Sequence, residues 1–169
     1  MSVHLISADQ AMARYEQFDA VIDARSEGEH AEDHLPGALN WPSLNNEERI
    51  RVGTLYKQVS PFEAQKIGAA LVAANISRHI LAHVQDKPKN WQPLVYCWRG
   101  GKRSNSLAFI LGQIGFKVHL IEGGYKAFRK AVVEDTPRRA QALPFRVLCG
   151  PTGSGKTRLL QALAALGAQ

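Results

Sequence analysis

Short apolar runs alternate along this chain with longer stretches whose apolar residues recur every three or four positions. Val3–Ile6 predicts a short strand. Ser7 then opens a helix, with Gln10 placed to complete a capping box. Ala20–Asp23 (AVID) predicts a core strand. Residues 44–58 and 61–74 predict two helices, the second opened by Ser60 and Pro61, and a third is expected from Ser77. Leu94–Tyr96 predicts a strand running into the segment CWRGGKRS. From Ser104 to Gly115, apolar Leu107, Ile110, Leu111 and Ile114 keep helical spacing, and Gly115 suits a C-cap. Val118–Ile121 predicts the next strand, followed by Gly123-Gly124 and a helix over 125–133. Strands alternating with helices imply an α/β fold with a mainly parallel sheet flanked by helices.

The texture then changes. Residues 134–144 (EDTPRRAQALP) are polar, hold two prolines and lack periodicity, so they read as a linker. Phe145–Cys149 predicts a fresh strand, and a glycine-rich loop and a helix follow it. The expected organisation is therefore a domain over 1–133, a linker over 134–144, and the opening strand–loop–helix of a second domain over 145–169. One βα unit cannot bury its own apolar face. The chain is thus expected to be a piece of a longer protein.

Composition narrows the class. At 169 residues, 45% hydrophobic and 21% charged, the chain fits an ordinary globular domain. Its longest apolar run, Ile67–Ala74, is far too short to cross a bilayer, which needs about 20 residues. The start MSVHLISADQ shows no secretory signal, and two cysteines make no disulfide framework, so no membrane association and a reducing cytoplasm are expected. The net charge of +6 is unevenly spread. Residues 1–98 carry 9 basic and 12 acidic side chains, whereas 99–169 carry 12 and 3. The basic half suits anionic ligands such as phosphates, nucleotides or nucleic acid, although a solvated basic face explains it equally well.

Two loops carry candidate chemistry. Cys97 ends a strand, and a helix begins six residues later, after Gly100, Gly101 and the basic Arg99, Lys102 and Arg103. Loop and helix N-terminal N–H groups converge there into an anion nest, and the positive charge favours a thiolate. Cys97 is the candidate nucleophile beside an oxyanion site, Arg103 at the helix start its partner, and the glycines supply the backbone freedom of a tight cradle. Trp98 is placed to line a substrate mouth. The second loop, Gly150-Pro151-Thr152-Gly153-Ser154-Gly155-Lys156-Thr157, fits G-x-x-x-x-G-K-[ST] in full, between a strand and a helix. Gly150, Gly153 and Gly155 would wrap a phosphate, Lys156 neutralise it, and Thr157 reach a Mg²⁺ ion. Cys149 reads as a core residue, as do Trp41 and Trp91. The pairs His30/His34 and His79/His83 lack a third ligand, so no metal site is expected.

The chain resembles the rhodanese-like sulfurtransferases. The resemblance rests on the cysteine loop ending in Arg103-Ser104, on Asp23-Ala24-Arg25-Ser26-Glu27 followed by His34-Leu35-Pro36-Gly37-Ala38-Leu39-Asn40 (the family's D-x-R-x-x-x-E and Pro-Gly-Ala-x-Asn segments), and on Glu122-Gly123-Gly124-Tyr125. It departs from the common loop by one residue. Five residues, Trp98 to Lys102, separate Cys97 from Arg103, as in tyrosine and dual-specificity phosphatases, which leaves a Cys-dependent phosphatase or a plain sulfurtransferase as alternatives. Asp86, Glu122 and the acids of 27–33 are then the candidate general acids. Asn45-Asn46-Glu47-Glu48-Arg49, Val52-Gly53-Thr54-Leu55-Tyr56-Lys57-Gln58 and the fusion to a phosphate loop resemble the bacterial tRNA 2-selenouridine synthase family. That resemblance implies a P-loop NTPase-like second domain. It implies replacement of sulfur by selenium from selenophosphate at the wobble 2-thiouridine of tRNA, through an S-geranylated intermediate made from geranyl diphosphate. It also implies Cys97 and Arg103 as catalytic residues, Trp98, Arg99, Gly100, Gly101, Lys102 and Ser104 around the substrate, and nucleotide or Mg²⁺ at the phosphate loop. tRNA and a selenophosphate synthetase would be the partners.

Overall fold

The computed structural model describes residues 3–144 and 147–167 and divides into two compact units, 1–134 and 135–169. The first unit is built on five parallel strands: β1 (Val3–Ile6), β2 (Ala20–Asp23), β3 (Leu39–Asn40), β4 (Pro93–Tyr96) and β5 (Val118–Ile121), in spatial order β1-β5-β4-β2-β3. Between them run α1 (Ala8–Ala13), α2 (Glu27–Glu32), α3 (Asn46–Gln58), α4 (Pro61–His83), α5 (Lys102–Ile114) and α6 (Gly124–Ala142). The Ser7–Gln10 capping box forms, with the Gln10 N–H donating to Ser7 Oγ at 3.2 Å and the Ser7 N–H to Gln10 Oε1 at 3.0 Å. Gly115 closes α5 at φ 114°, a left-handed C-cap.

The central strands are buried and largely apolar because both faces of the sheet are covered, with Asp23 in β2 and His119 in β5 as polar exceptions. Period-two alternation sends Val95 and Cys97 into one core with Ile76, Leu107, Leu111 and Trp91. Leu94 and Tyr96 enter the opposite core with Ala11, Leu35, Ile121 and Phe128. With all strands parallel, the loops after β2, β4 and β5 leave the same edge of the sheet, where α/β proteins gather their chemistry.

Three expectations fail locally, in α4, in the linker and over 147–149. Helix α4 runs unbroken through Ser77. Asn75, buried just before it, spends its amide on the Ser43 carbonyl (3.2 Å) and Glu48 Oε2 (2.6 Å) and so does not compete with the helix backbone. The expected linker is helical to Ala142: Asp135 pairs with Arg138 and Arg139 one turn on, which supports the turn around Pro137. On α5, only Leu107 and Leu111 of the apolar stripe are buried, while Ile110 and Ile114 are exposed. Residues 147–149 carry no strand, since no neighbouring strand pairs with them among the described residues; Phe145 and Arg146 lie outside these. The second unit contributes helix α7 (Lys156–Ala165) after the glycine-rich loop. No described helix is long and apolar enough to cross a membrane.

Candidate active site

Cys97 sits at the carboxyl edge of β4 and is 2% exposed. Its sulfur accepts the Gly101 N–H at 3.2 Å and the Ser104 O–H at 3.0 Å. Two converging donors at a helix start suit a sulfur that carries negative charge, the form that acts as nucleophile. The Ser104 hydroxyl also lies 3.3 Å from the Gly101 carbonyl, and Asn105 Nδ2 donates to the Gly100 and Gly101 carbonyls at 3.0 Å each. The Gly100 and Gly101 carbonyls are thereby occupied, while the Gly101 N–H faces the sulfur.

The turn after β5 holds this loop from below. The Tyr125 N–H donates to the Cys97 carbonyl at 2.8 Å and the Lys126 N–H to the Trp98 carbonyl at 3.1 Å. These are orphan donors of the first turn of α6, satisfied by the cysteine loop. Contact is so close that Gly124, at φ +59°, has room for no side chain: a Cβ would lie 2.2 Å from the Cys97 oxygen. Gly100, at φ +67°, faces the same turn. Gly101 is a correction. Its φ of −93° is open to any residue, and nothing lies within 4 Å of a Cβ there, so only Gly100 contributes conformational freedom.

Beneath the site lies a buried polar network. The Arg25 guanidinium, 1% exposed, donates to both oxygens of Asp23 and, at 2.6 Å, to the Asp33 carbonyl. Asp23 also accepts from Tyr96 Oη (2.9 Å) and meets His30 Nδ1 (3.2 Å). Burial, then the charge of Asp23, pushes the Tyr96 phenol far up; it stays a neutral donor. The D-x-R pair is thus a strut joining the loops after β2 and β4.

Arg103, half-buried at the start of α5, is bound to Glu29 (Nη1–Oε2 2.7 Å). Glu29 also receives the Ser26 N–H and hydroxyl, both at 3.2 Å, and Arg49 at 3.2 Å. Burial disfavours its charge, but the bond to Arg103 and that cation's field outweigh burial and hold the carboxyl below its ordinary range. Glu29 is one of the candidate acids of 27–33, and D-x-R-x-x-x-E counted from Asp23 ends on it. Of the other candidate acids, Asp86 is engaged by Lys87 and Asp33 by the Tyr125 hydroxyl. Arg99 and Lys102 are exposed. Trp98 is 40% exposed and stacks on Tyr125.

Helices α3, α4 and α5 line an open apolar groove of about 1200 Å³. Val52, Tyr56, Val72, Ile80 and Phe109 line it, and Lys102 and Arg103 connect it to the cysteine loop. Ile110, one of the helically spaced apolar residues of α5, also lines it.

The histidine pairs have other partners. His30 and His34 stack at 3.9 Å, and His79 and His83 pack on Trp41. Among the described residues no three metal-ligating side chains converge. Trp41 and Trp91 are buried, as expected. In the second unit Cys149 is exposed rather than core, because 147–149 pair with no strand. Lys156 bends back on its own loop, its ammonium donating to the carbonyls of Gly150 (2.8 Å) and Pro151 (2.7 Å). Gly153 and Gly155 both take φ +80°. A phosphate would compete with those carbonyls for the lysine.

A family model for the rhodanese-like domain matches residues 7–131. The chain is 38% identical over 156 residues to the tRNA 2-selenouridine synthase of Nitrosomonas europaea, covering 92% of this chain and 40% of that protein. The tRNA 2-selenouridine synthase of Proteus mirabilis is 40% identical over 144 residues, covering 85% and 40%. The chain therefore spans about 40% of the length of these curated relatives. The crystal structure of the N-terminal domain of a Clostridium difficile 630 protein, described as ATP/GTP binding, superposes with a TM-score of 0.63 at 35% identity, over 76% of this chain and 98% of that one. A parallel sheet with a cysteine at the end of its central strand, and a match covering most of the chain, have one reading: the chain belongs to the rhodanese-like domain family.

Proposed function

We propose that this chain is the rhodanese-like part of a tRNA 2-selenouridine synthase of the cytoplasm. Sulfur at C2 of a wobble 2-thiouridine is replaced by selenium from selenophosphate, through an S-geranylated intermediate. Cys97 is the nucleophile that handles selenium, with Arg103 as its cationic neighbour. The carrying observation is the loop around Cys97, where two donors already meet the sulfur and five residues, Trp98 to Lys102, make a ring one residue larger than the common one. A ring of that size suits a tetrahedral, phosphate-like anion better than a bare sulfur. Arg103 gives Nη1 and Nη2 to Glu29, so a phosphate-like anion would take this guanidinium in exchange for part of that pairing; the planar fork matches such oxygens. The exposed cations Arg99 and Lys102 suit a polyanionic tRNA.

The apolar groove beside Lys102 and Arg103 supports geranyl diphosphate as co-substrate, with its chain among the α3–α5 side chains and its charge toward the basic end. The loop 150–157, with Gly150, Gly153, Gly155, Lys156 and Thr157, is proposed as a second phosphate site for a nucleotide with Mg²⁺ or for a diphosphate. A selenophosphate synthetase supplies the donor.

The test is nucleoside analysis of tRNA from selenium-fed cells carrying the full-length protein with Cys97→Ser. The expected outcome is loss of 2-selenouridine with the fold retained. Continued selenation in that variant overturns the assignment. Phosphomonoester hydrolysis, or sulfur transfer from thiosulfate, in the absence of any selenation would identify the phosphatase or the plain sulfurtransferase instead.

A further inference from the structure

Trp98 follows the nucleophile directly and is 40% exposed, whereas Trp41 and Trp91 are about nine-tenths buried or more, at 4% and 5%. An exposed indole is the least soluble side chain to place on a loop otherwise made of glycines and cations. It is also held still. Its ring lies 5.4 Å from that of Tyr125 at an interplanar angle of 21°, and its carbonyl accepts the Lys126 N–H. Tyr125 is itself fixed: its hydroxyl donates to Asp33, and the Arg25 guanidinium lies 4.2 Å from its ring centroid. Arg25 in turn is locked to buried Asp23. With Tyr125 stacked on it and the Arg25 guanidinium 6.0 Å from its ring centroid, Trp98 still leaves 40% of its surface to solvent.

We propose that Trp98 is a stacking platform for an unpaired nucleobase of RNA, holding the base over the Cys97 loop. The inference rests on the tRNA reading above and adds the residue that positions the base. Three observations favour a base over a small inorganic donor. A donor anion needs N–H groups and cations, which the ring around Cys97 already supplies, and gains nothing from an indole face. A pre-ordered aromatic surface, by contrast, is how proteins hold splayed bases of single-stranded loops. Exposed Arg99, Lys102, Lys126 and Arg129 surround the platform in the chain, as phosphates flanking such a base require. Rigidity from Tyr125, Arg25 and Asp23 lowers the ordering cost of binding.

The experiment uses the full-length protein and two synthetic anticodon stem–loops, one with 2-thiouridine at the wobble position and one abasic there, with binding followed by fluorescence anisotropy. Trp98→Ala is expected to weaken binding of the thiouridine RNA about 5- to 150-fold, the range for loss of one base–aromatic stack, and to leave the abasic RNA within about 2-fold. Trp98→Phe keeps most of the affinity. Trp98→Leu, which still covers Tyr125 but offers no π face, falls with Trp98→Ala and serves in its place if that variant does not fold. Equal weakening on both RNAs, or none on either, overturns the platform while leaving the tRNA reading intact. Failure of the wild-type protein to bind either RNA overturns the tRNA reading and the platform together.

Discussion

Replacing Gly124 by alanine tests whether the turn after β5 holds the cysteine loop. The added Cβ would lie 2.2 Å from the Cys97 carbonyl oxygen, 2.7 Å from the Gly100 nitrogen and 3.1 Å from the Arg99 nitrogen. All three are backbone atoms, so no side chain can swing aside to relieve the clash. The φ of +59° adds left-handed strain for any residue with a Cβ. Relief requires the two segments to separate, which breaks the hydrogen bonds Tyr125 N–Cys97 O and Lys126 N–Trp98 O. Strain contributes about 1–3 kcal/mol and each of the two lost bonds about 1 kcal/mol, so a loss of about 3–5 kcal/mol is expected, against the 5–15 kcal/mol typical of a domain.

Two measurements read it. Urea unfolding gives the stability loss. Alkylation of Cys97 by iodoacetamide, in a Cys149→Ser background because Cys149 is exposed, gives the loop's displacement. Cys97 is nearly fully buried, so its alkylation should accelerate several-fold once the loop moves. Gly101→Ala is the internal control, since nothing lies near its Cβ and its φ is unstrained; it should change stability by less than about 0.5 kcal/mol. Stability within about 0.5 kcal/mol of wild type in Gly124→Ala, with an unchanged alkylation rate, would refute the coupling of turn to loop.

Other outcomes follow from the same geometry. Arg103→Lys should impair selenophosphate use in the full-length protein more than Lys102→Ala, because lysine cannot reproduce the fork that meets Glu29 and phosphate-like oxygens; an Arg103→Lys enzyme with unchanged selenophosphate kinetics sinks this. Glu29→Gln should cost about 1–3 kcal/mol in urea unfolding by leaving the half-buried Arg103 without its counter-charge, and a neutral result would make the pair a surface contact. His119, 2% exposed, has no hydrogen-bond partner at either ring nitrogen among the described residues, and burial followed by the nearby Arg14, His4 and Lys117 charges lowers it to about 4. The folded chain thus takes up this proton after the unfolded chain does, so the stability His119 allows is complete above about pH 6.5 and is lost as pH falls through about 4, on the order of 1–3 kcal/mol. His119→Leu should flatten that part of the pH profile, and an identical profile in the variant would exclude His119 as its source. Lys156→Ala should weaken binding of nucleotide or geranyl diphosphate to the full-length protein, measured by calorimetry; equal affinity for every such ligand would leave the loop without a phosphate role.

Local chemistry was enough to read much of this protein from the chain. Four of the five strands, the Ser7 and Ser60 helix starts and the Gly115 cap are each specified by residues within a few positions of one another, so linear spacing reveals them. The cysteine loop was legible for the same reason: its donors Gly101 and Ser104 lie within seven residues of Cys97. What only the tertiary structure decided involves partners far apart in sequence. Glu29 meets Arg103 across 74 positions. Asn75 is kept from ending α4 by Ser43 and Glu48 on other elements. Gly124 is required by a carbonyl of another strand's loop, and Gly101, beside Gly100 in sequence, turned out to need no glycine at all, since adjacency says nothing of φ. Ile110 and Ile114 have the spacing of core residues, yet only the placement of α3 and α4 shows that they are exposed and that Ile110 lines a groove. Periodicity gives the face of a helix to within about a quarter turn, and whether that face meets a sheet or an open groove depends on elements packed from elsewhere in the chain.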